Sequence, residues 1–408
     1  MITGCDFFCG SGGSTTGLQM AGIEIRYAVN HIAICIETHA ANYPKIDHDQ
    51  TDIQKVDMAR YPNTDMAWLS PECTNITNAK GQSDKIKYEN NLWGERIFNP
   101  AEQRSRLTMF EVYRYAQSHS TPVIIVENVT DIFRWPLLNT FLAEMSSLEY
   151  QYQIVSLNAQ FFNVAQNRDR AYIVFWKNGH PKPALDFKPP AECPQHGTVN
   201  SLQSWKNGHR GYDYGASYVY VCPHCGIRLE PMKLAARSII DWSIPVPLVR
   251  DRRTPLVPAT RQRIAQGLQR FRNEAHLLTY YSREHTHSSL NQPLPTIRTN
   301  NSHTLSVPPP LIDSCYGKST RLMNANQEPL GTITTRQHHA LVEAAEWGTA
   351  VDNCGYRFLN SDELKRGQSF PNRYILLGNQ EERIRMIGNA VACHVAEWLG
   401  RQVIQTFQ

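Results

Sequence analysis

ITGCDFFCGSGGSTTGL occupies residues 2–18, and its reading decides the fold class. ITGCDFF is a short β-prone run, and CGSGGSTTGL is a glycine-rich turn that enters a helix. IEIRYAVN (23–30) then reads as a second strand and ICIETHAANY (34–43) as a helix. A third strand, DMAWLS (65–70), delivers Pro71, Glu72 and Cys73 at its end. PVIIVEN (122–128) is an apolar strand that ends in Glu127 and Asn128, and AYIVFW (171–176) is another. This alternation predicts an α/β protein, and open parallel sheets bind ligands outside the carboxyl ends of their strands. Several candidate functional residues sit at such ends. Near the C-terminus RMIGNAVACHVAEWLG (385–400) reads as one glycine-headed amphipathic helix.

Composition narrows the class. In 408 residues no run approaches the ~18 apolar residues that cross a bilayer, and the first residues lack a signal-peptide pattern. Hydrophobic residues make up 41%, with eight Trp and eighteen Tyr, enough to build a core and to exclude a disordered chain. The expectation is a cytoplasmic, nucleoid-associated protein with no membrane contact. The ten cysteines then read as reduced thiols, nucleophiles or metal ligands rather than as a disulfide framework.

The net charge of +4 is mild, but its distribution is not. Residues 250–273, RDRRTPLVPATRQRIAQGLQRFRN, carry seven Arg against one Asp, so the rest of the chain is slightly acidic. Arginine favours forked contacts to phosphates and base edges. Ile264, Leu268 and Phe271 recur at helical spacing, so the same segment has one buried side. Residues 291–305 and 326–341 form an imperfect repeat, each copy a turn, a β-prone run and a His-bearing return strand. The polar tips of the two copies (Arg298 to Asn301; Arg336 to His338) have donors and acceptors suited to base edges. As single residues they are ordinary hairpin turns.

Four groups carry chemistry. The turn Gly10-Ser11-Gly12-Gly13 can bring backbone against a nucleotide-like ligand, although Thr15 and Asn30 depart from a dinucleotide fingerprint. Cys73, at a strand's carboxyl end, is placed for nucleophilic attack, though most lone cysteines are packing residues. Glu127 is a candidate buried acid with a raised pKa, or simply a helix-start neighbour. Arg168 and Arg170, two apart in an extended segment, share a face suited to an anion or a carbonyl edge, and are otherwise salt-bridge partners. Separately, Cys193-x2-His196 and Cys222-x2-Cys225 supply the four soft ligands of a structural zinc site.

Taken in order, these motifs resemble those of the DNA (cytosine-5) methyltransferase family of prokaryotic or phage type. DFFCGSGG (6–13) is similar to its S-adenosylmethionine motif and SPECTN (70–75) to its proline–cysteine nucleophile motif. VENV (126–129) is similar to its glutamate motif, QNRDR (166–170) to Gln-x-Arg-x-Arg, and IGNAV (387–391) to its closing cofactor motif. The match covers about 1–176 and 357–408. It implies a Rossmann-like methyltransferase domain built from both chain ends, residues 1–180 and 356–408. Between them come a zinc-binding insertion (181–250) and a smaller β-rich target-recognition domain (251–355).

The resemblance further implies that Cys73 attacks carbon 6 of a flipped-out cytosine in double-stranded DNA while Glu127, held protonated, supports N3. Arg168 and Arg170 would hold the carbonyl edge. It carries the cofactor over to Phe8, Gly10, Gly12, Asn30, His31, Asp52, Ile53, Asn389 and Val391, and implies a monomer working with other components of a restriction–modification or phage-defence system. A relative acting on tRNA, or a silent DNA binder, stays open. Two departures bear on rate and affinity: Glu72 puts a carboxylate beside the thiol, and Asn30 replaces an acid.

Overall fold

The computed structural model describes residues 1–71, 108–206, 213–268, 275–279, 287–300, 302–307 and 351–408, and the backbone alone of 88–90, 96–98, 269–270, 311–316, 319–324, 339–342 and 350. The nucleophile motif beyond Pro71, including Glu72 and Cys73, lies outside the described residues. So do most of residues 78–106, as well as Asn301 and the tip 336–338.

The expected strand–turn–helix opening is present as β1 (Thr3–Phe7) and α1 (Gly13–Ala21), followed by β2 (Glu24–Asn30), α2 (Ala33–Asn42), β3 (Asp47–Gln50) and β4 (Met66–Leu69). Next come α3 (Phe110–Ser118), β5 (Val123–Asn128), α4 (Leu138–Ser147), β6 (Tyr150–Asn158) and β7 (Asp169–Lys177). The seven strands form one sheet in the order β3-β2-β1-β4-β5-β7-β6. The first five are parallel, whereas β7 runs antiparallel to both β5 and β6. The chain order reverses between β1 and β4, the switch point at which doubly wound sheets open a ligand crevice.

Val123-Ile-Ile-Val in β5 and the whole of β4 are buried on both faces, as strands covered by helices on both sides must be. Alternation divides them between two cores. Trp68, Val123 and Ile125 pack with Leu18 of α1 on one face; Ala67, Ile124 and Val126 pack with Tyr115 and Phe141 of α3 and α4 on the other.

After α5 (Pro258–Arg270), the C-terminal segment forms α6 (Ser361–Gly367), α7 (Gln380–Asn389) and α8 (Cys393–Ile404). Helix α8 completes the first face through Val395, Ala396 and Leu399, whereas Leu364 of α6 and Ile384 and Ile387 of α7 pack in a third core with Leu277 and Leu305. The single helix expected over 385–400 is two helices, broken at Ala390–Ala392. The break has a packing cause: Val391 lies so close to α1 that a Cβ on Gly13 would sit 2.2 Å from its carbonyl oxygen. A continuous helix could not present that backbone edge. Asn360 with Glu363, and Asn379 with Glu382, form capping boxes that start α6 and α7.

The insertion holds β8 (Pro190–Cys193), β9 (Gly197–Asn200), β10 (Leu202–Trp205), β11 (Tyr218–Val221) and β12 (Arg228–Leu229) in two small sheets. Beyond it, β13 (His276–Thr279), β14 (His287–Ser289), β15 (His303–Val307) and β16 (Gly355–Phe358) form an antiparallel sheet in the order β14-β13-β15-β16. β16 therefore straddles the expected 355/356 boundary and belongs by pairing to the sheet of the middle segment. The return strands of both repeat copies are strands, carrying His303 and His339.

Helix α5 forms where expected, with Ile264 and Leu268 buried. Part of the arginine run is engaged within the chain itself. Arg261 makes a forked pair with Asp352 (2.6 and 2.9 Å), Arg250 donates to Asn353 at 2.6 Å, and Arg252 lies over the Tyr356 ring. Three of its arginines bind this chain's own return segment. Among the described residues no helix is long and apolar enough to cross a membrane.

Candidate active site

A cavity of about 440 Å³ opens at the carboxyl edge of the central sheet, lined by Phe8, Gly10, Asn30, Ser70, Pro71, Glu127, Arg168, Arg170 and Asn389 among others. Each strand end arrives there for a topological reason. β1, β4 and β5 point their carboxyl ends at it. β7 is antiparallel, so its first residues, not its last, reach the same edge; this is how a motif preceding a strand meets motifs that follow strands. Sequence periodicity alone carries no signal for that polarity.

The turn after β1 has positive φ at Phe8 (60°), Gly10 (52°) and Gly12 (86°). Glycine tolerates this; Phe8 is held there at a cost of about 1–3 kcal/mol, a cost that clusters at ligand sites. Beneath the turn, Ser14 and Thr15 hydroxyls donate to Asp6 Oδ2 at 2.5 and 2.7 Å. Burial pushes the Asp6 carboxyl up to about 6. Thr15 Oγ1 also lies 3.0 Å from His39 Nε2, whose Nδ1 is 2.8 Å from His48 Nε2, and burial pushes His39 down to about 3. Thr15, which reads as a departure from a dinucleotide fingerprint, is thus the link in a buried polar chain. Neither Asp6 nor His39 is among the sequence candidates, although an acid at the end of the first strand is a signal of sorts.

Of the cofactor candidates, Phe8, Gly10, Asn30 and Asn389 line the cavity. Gly12 shapes the turn behind it, and Val391 is buried against α1. Asp52 caps a short helical turn by accepting from Gln54 N, with Ile53 buried beneath, and His31 is exposed. These five are not brought to the cavity wall. Ile32, Ile34, Met386 and Glu382, which the sequence reading passes over, are. Asn30 Oδ1 already accepts the Ile32 backbone N–H at 2.9 Å, so the side chain that lines the cavity also braces the turn ahead of α2.

Glu127, 9% exposed, is met by Arg170 Nε at 3.0 Å. The acid expected to be buried is buried, and it stands in an ion pair on the cavity wall. Arg168 behaves differently. It is 4% exposed and donates to the carbonyls of Ile297 (3.0 Å), Gly388 (2.9 Å) and Ala390 (3.3 Å). The two motif arginines thus play separate roles. Arg170 faces Glu127, and Arg168 ties the closing motif and the loop at Ile297 to the sheet. Asn128 Nδ2 donates to the Pro71 carbonyl at 3.3 Å, which fixes the last described residue of the nucleophile motif against the strand end that carries Glu127.

Away from the sheet, the four predicted ligands converge. Cys193 Sγ is 3.5 Å from His196 Nδ1 and 3.7 Å from Cys225 Sγ, and Cys222 Sγ is 3.6 Å from His196 Nδ1. All four ligand atoms lie within 4.8 Å of one another. His224 is not one of them.

Comparisons with known proteins place this geometry. The family model of C-5 cytosine-specific DNA methylase matches residues 2–405. The type II methyltransferase M.AgeI of Thalassovita gelatinovora is 22% identical over 179 residues, a stretch covering 41% of this chain and only 38% of that enzyme. Among solved structures, S. pombe Dnmt2 methyltransferase aligns with a TM-score of 0.58 at 12% identity, over 100% of both chains. A mutant of Spodoptera frugiperda DNMT2 aligns at 0.56 and 14% identity, over 99% of this chain and 100% of its own. The structural likenesses speak to the fold alone. With the family model spanning nearly all 408 residues, the chain belongs to the C-5 cytosine-specific DNA methylase family.

Proposed function

We propose that this protein transfers a methyl group from S-adenosylmethionine to carbon 5 of a cytosine turned out of double-stranded DNA, through a covalent bond to Cys73. One observation carries the reading: the Glu127–Arg170 pair faces the same cavity as the Phe8–Gly10 turn and as Ser70 and Pro71, which lead directly into Cys73. The lining suits the cofactor, with strained backbone at the turn, apolar Ile32 and Ile34, and amides at Asn30 and Asn389. When bound, the cofactor supplies an electrophilic methyl group.

This chain's residues do the rest. Cytosine carbon 5 is a weak nucleophile, and the Cys73 thiolate adding at carbon 6 converts the ring to an enamine reactive at carbon 5. Glu127 supports N3 as charge develops, and Arg170 holds that carboxyl in place. After carbon 5 has gained its methyl group, loss of its proton and of the sulfur returns the ring and frees Cys73. A base within a duplex cannot reach such a cavity, hence the flipped base. The M.AgeI likeness supports a restriction–modification or defence setting.

The test is DNA in which 5-fluorocytosine replaces cytosine, incubated with S-adenosylmethionine. Fluorine blocks loss from carbon 5, so the parent protein is expected to remain bonded to DNA through denaturation, and Cys73→Ala to show no such adduct. An absent adduct on mixed-sequence duplex, in protein that binds the cofactor, would sink the DNA reading and direct the same assay to tRNA.

The cysteine–histidine cluster is proposed to hold zinc as a structural ion. A tetrahedron with ~2.3 Å metal–sulfur bonds has edges of about 3.8 Å, close to the separations observed. Purified protein should carry one equivalent of zinc, and Cys222→Ser should lose it and melt several degrees lower. Full metal retention in that variant would argue against the assignment.

A further inference from the structure

Asp169 is the middle residue between the two motif arginines, and its carboxylate turns toward the insertion. Oδ1 accepts the Tyr214 backbone N–H at 3.1 Å and the Tyr218 hydroxyl at 3.3 Å. Both donors come from the insertion. The adjacent Asp213 accepts the Thr130 hydroxyl at 2.8 Å, three residues beyond Glu127. Asp213, Tyr214 and Tyr218 thus grip the two catalytic strands just outside Glu127 and Arg170, the pair that faces the cavity.

The grip is rooted in the core. Tyr218 and Tyr220 of β11 are fully buried and belong to the same hydrophobic cluster as Trp68 and Tyr172 of the central sheet. Phe161, just upstream of the arginine motif, meets Tyr214 and Tyr220 edge-on at 4.7 and 5.2 Å. β11 ends at Val221, and Cys222 of the metal cluster follows directly. A second cavity, of about 720 Å³, has Asp169, Asp213 and Tyr214 in its wall, and Arg170 is common to both cavities.

We infer that Asp169, held by Tyr214 and Tyr218, is a positioning residue for the Arg170–Glu127 pair, which makes the insertion a working part of the catalytic apparatus. The inference rests on the methyl-transfer reading above. Arg170 has its Nη1 on the Asp169 backbone carbonyl at 2.8 Å and its Nε on Glu127, so a shift at residue 169 moves the guanidinium directly. Misplacing a catalytic group by about 1 Å can cost about a hundredfold in rate.

The experiment compares the full-length parent with Asp169→Ala, Asp169→Asn, Tyr218→Phe and Gln203→Ala. Gln203 also joins the insertion to the sheet, through the Ser156 carbonyl, but away from the pair. Adduct formation on 5-fluorocytosine DNA is followed in single turnover, DNA affinity by filter binding, and backbone opening over 166–172 by hydrogen exchange. Asp169→Ala should slow the adduct by about tenfold to a hundredfold with DNA affinity unchanged and exchange accelerated. Asp169→Asn, which keeps the acceptor, should retain most of the rate, and Gln203→Ala all of it.

Parental adduct rates in folded Asp169→Ala would overturn the inference, as would equal losses in the Asn and Ala variants, which would point to charge rather than position. If Asp169→Ala does not fold, Tyr218→Phe, lacking one hydroxyl, carries the test with a severalfold loss expected and parental rates overturning. If the parent itself forms no adduct, the reaction assignment fails instead, and exchange alone decides: unchanged opening in Asp169→Ala and Tyr218→Phe overturns the clamp.

Discussion

Glu127→Gln is expected to lower the rate of methyl transfer by about 10²–10⁴-fold while leaving the fold and cofactor binding intact. The substitution keeps the length of the side chain and an oxygen that can accept from Arg170 Nε, 3.0 Å away in the parent. It removes the carboxyl's ability to carry a proton or a charge to the base. Glu127 is the penultimate residue of a strand whose every residue is buried, so an isosteric change there disturbs no exposed contact and leaves the core side chains in place. Glu127→Asp should be impaired as well, because a shorter side chain withdraws from Arg170. The check is single-turnover methylation of mixed-sequence duplex with tritiated cofactor, alongside cofactor affinity by calorimetry. A rate within threefold of the parent would remove Glu127 from the chemistry and leave it as Arg170's structural partner.

Much of the fold is legible because the relevant physics is local. The β-prone run, glycine turn and helix of residues 2–18 depend on neighbours in sequence, as do β4, β5 and the C-terminal helices' capping boxes. The metal cluster is legible too, since each half is a short-turn pair. What escapes the sequence is set by contacts between distant segments. Arg261 belongs to Asp352, 91 positions away, so an arginine run that looks like a nucleic-acid surface is partly internal wiring.

The break between α7 and α8 answers to Gly13, nearly 380 residues upstream. The Asp169 contacts arise from an insertion with little sequence regularity. Cofactor positions are the least legible. Strand ends bring Phe8, Gly10 and Asn30 to the cavity, while Asp52 and Ile53 sit in a turn that serves its own cap and core.

Arg168 supplies the second large effect, on stability as well as on the site. Its guanidinium donates to three backbone carbonyls from two distant segments, Ile297 in the middle of the chain and Gly388 and Ala390 in the closing motif. The same junction is tight: a Cβ at Gly388 would lie 2.2 Å from the Arg298 carbonyl carbon. Arg168→Met fills a similar volume but donates nothing, leaving those acceptors in a buried setting without their partner. Hydrogen bonds from charged donors contribute about 1.5–3 kcal/mol each and are not additive, so a loss of about 3–5 kcal/mol is expected.

Against a typical stability of about 5–15 kcal/mol, that places the variant near the folding threshold. Lysine at the same position keeps the charge but not the planar fork, and should recover only part of the loss. Urea unfolding gives the energies. Cofactor titration of the folded fraction gives the functional arm, because Gly388 and Asn389 form part of the cavity wall. A Met variant that unfolds within about 1 kcal/mol of the parent and binds cofactor equally well would show that the closing motif is held without Arg168, by packing and by Gln368, whose amide donates to the Ile387 and Ala390 carbonyls. A large loss with partial lysine rescue would establish Arg168 as the tie between recognition segment, cofactor wall and sheet, distinct in role from its neighbour Arg170.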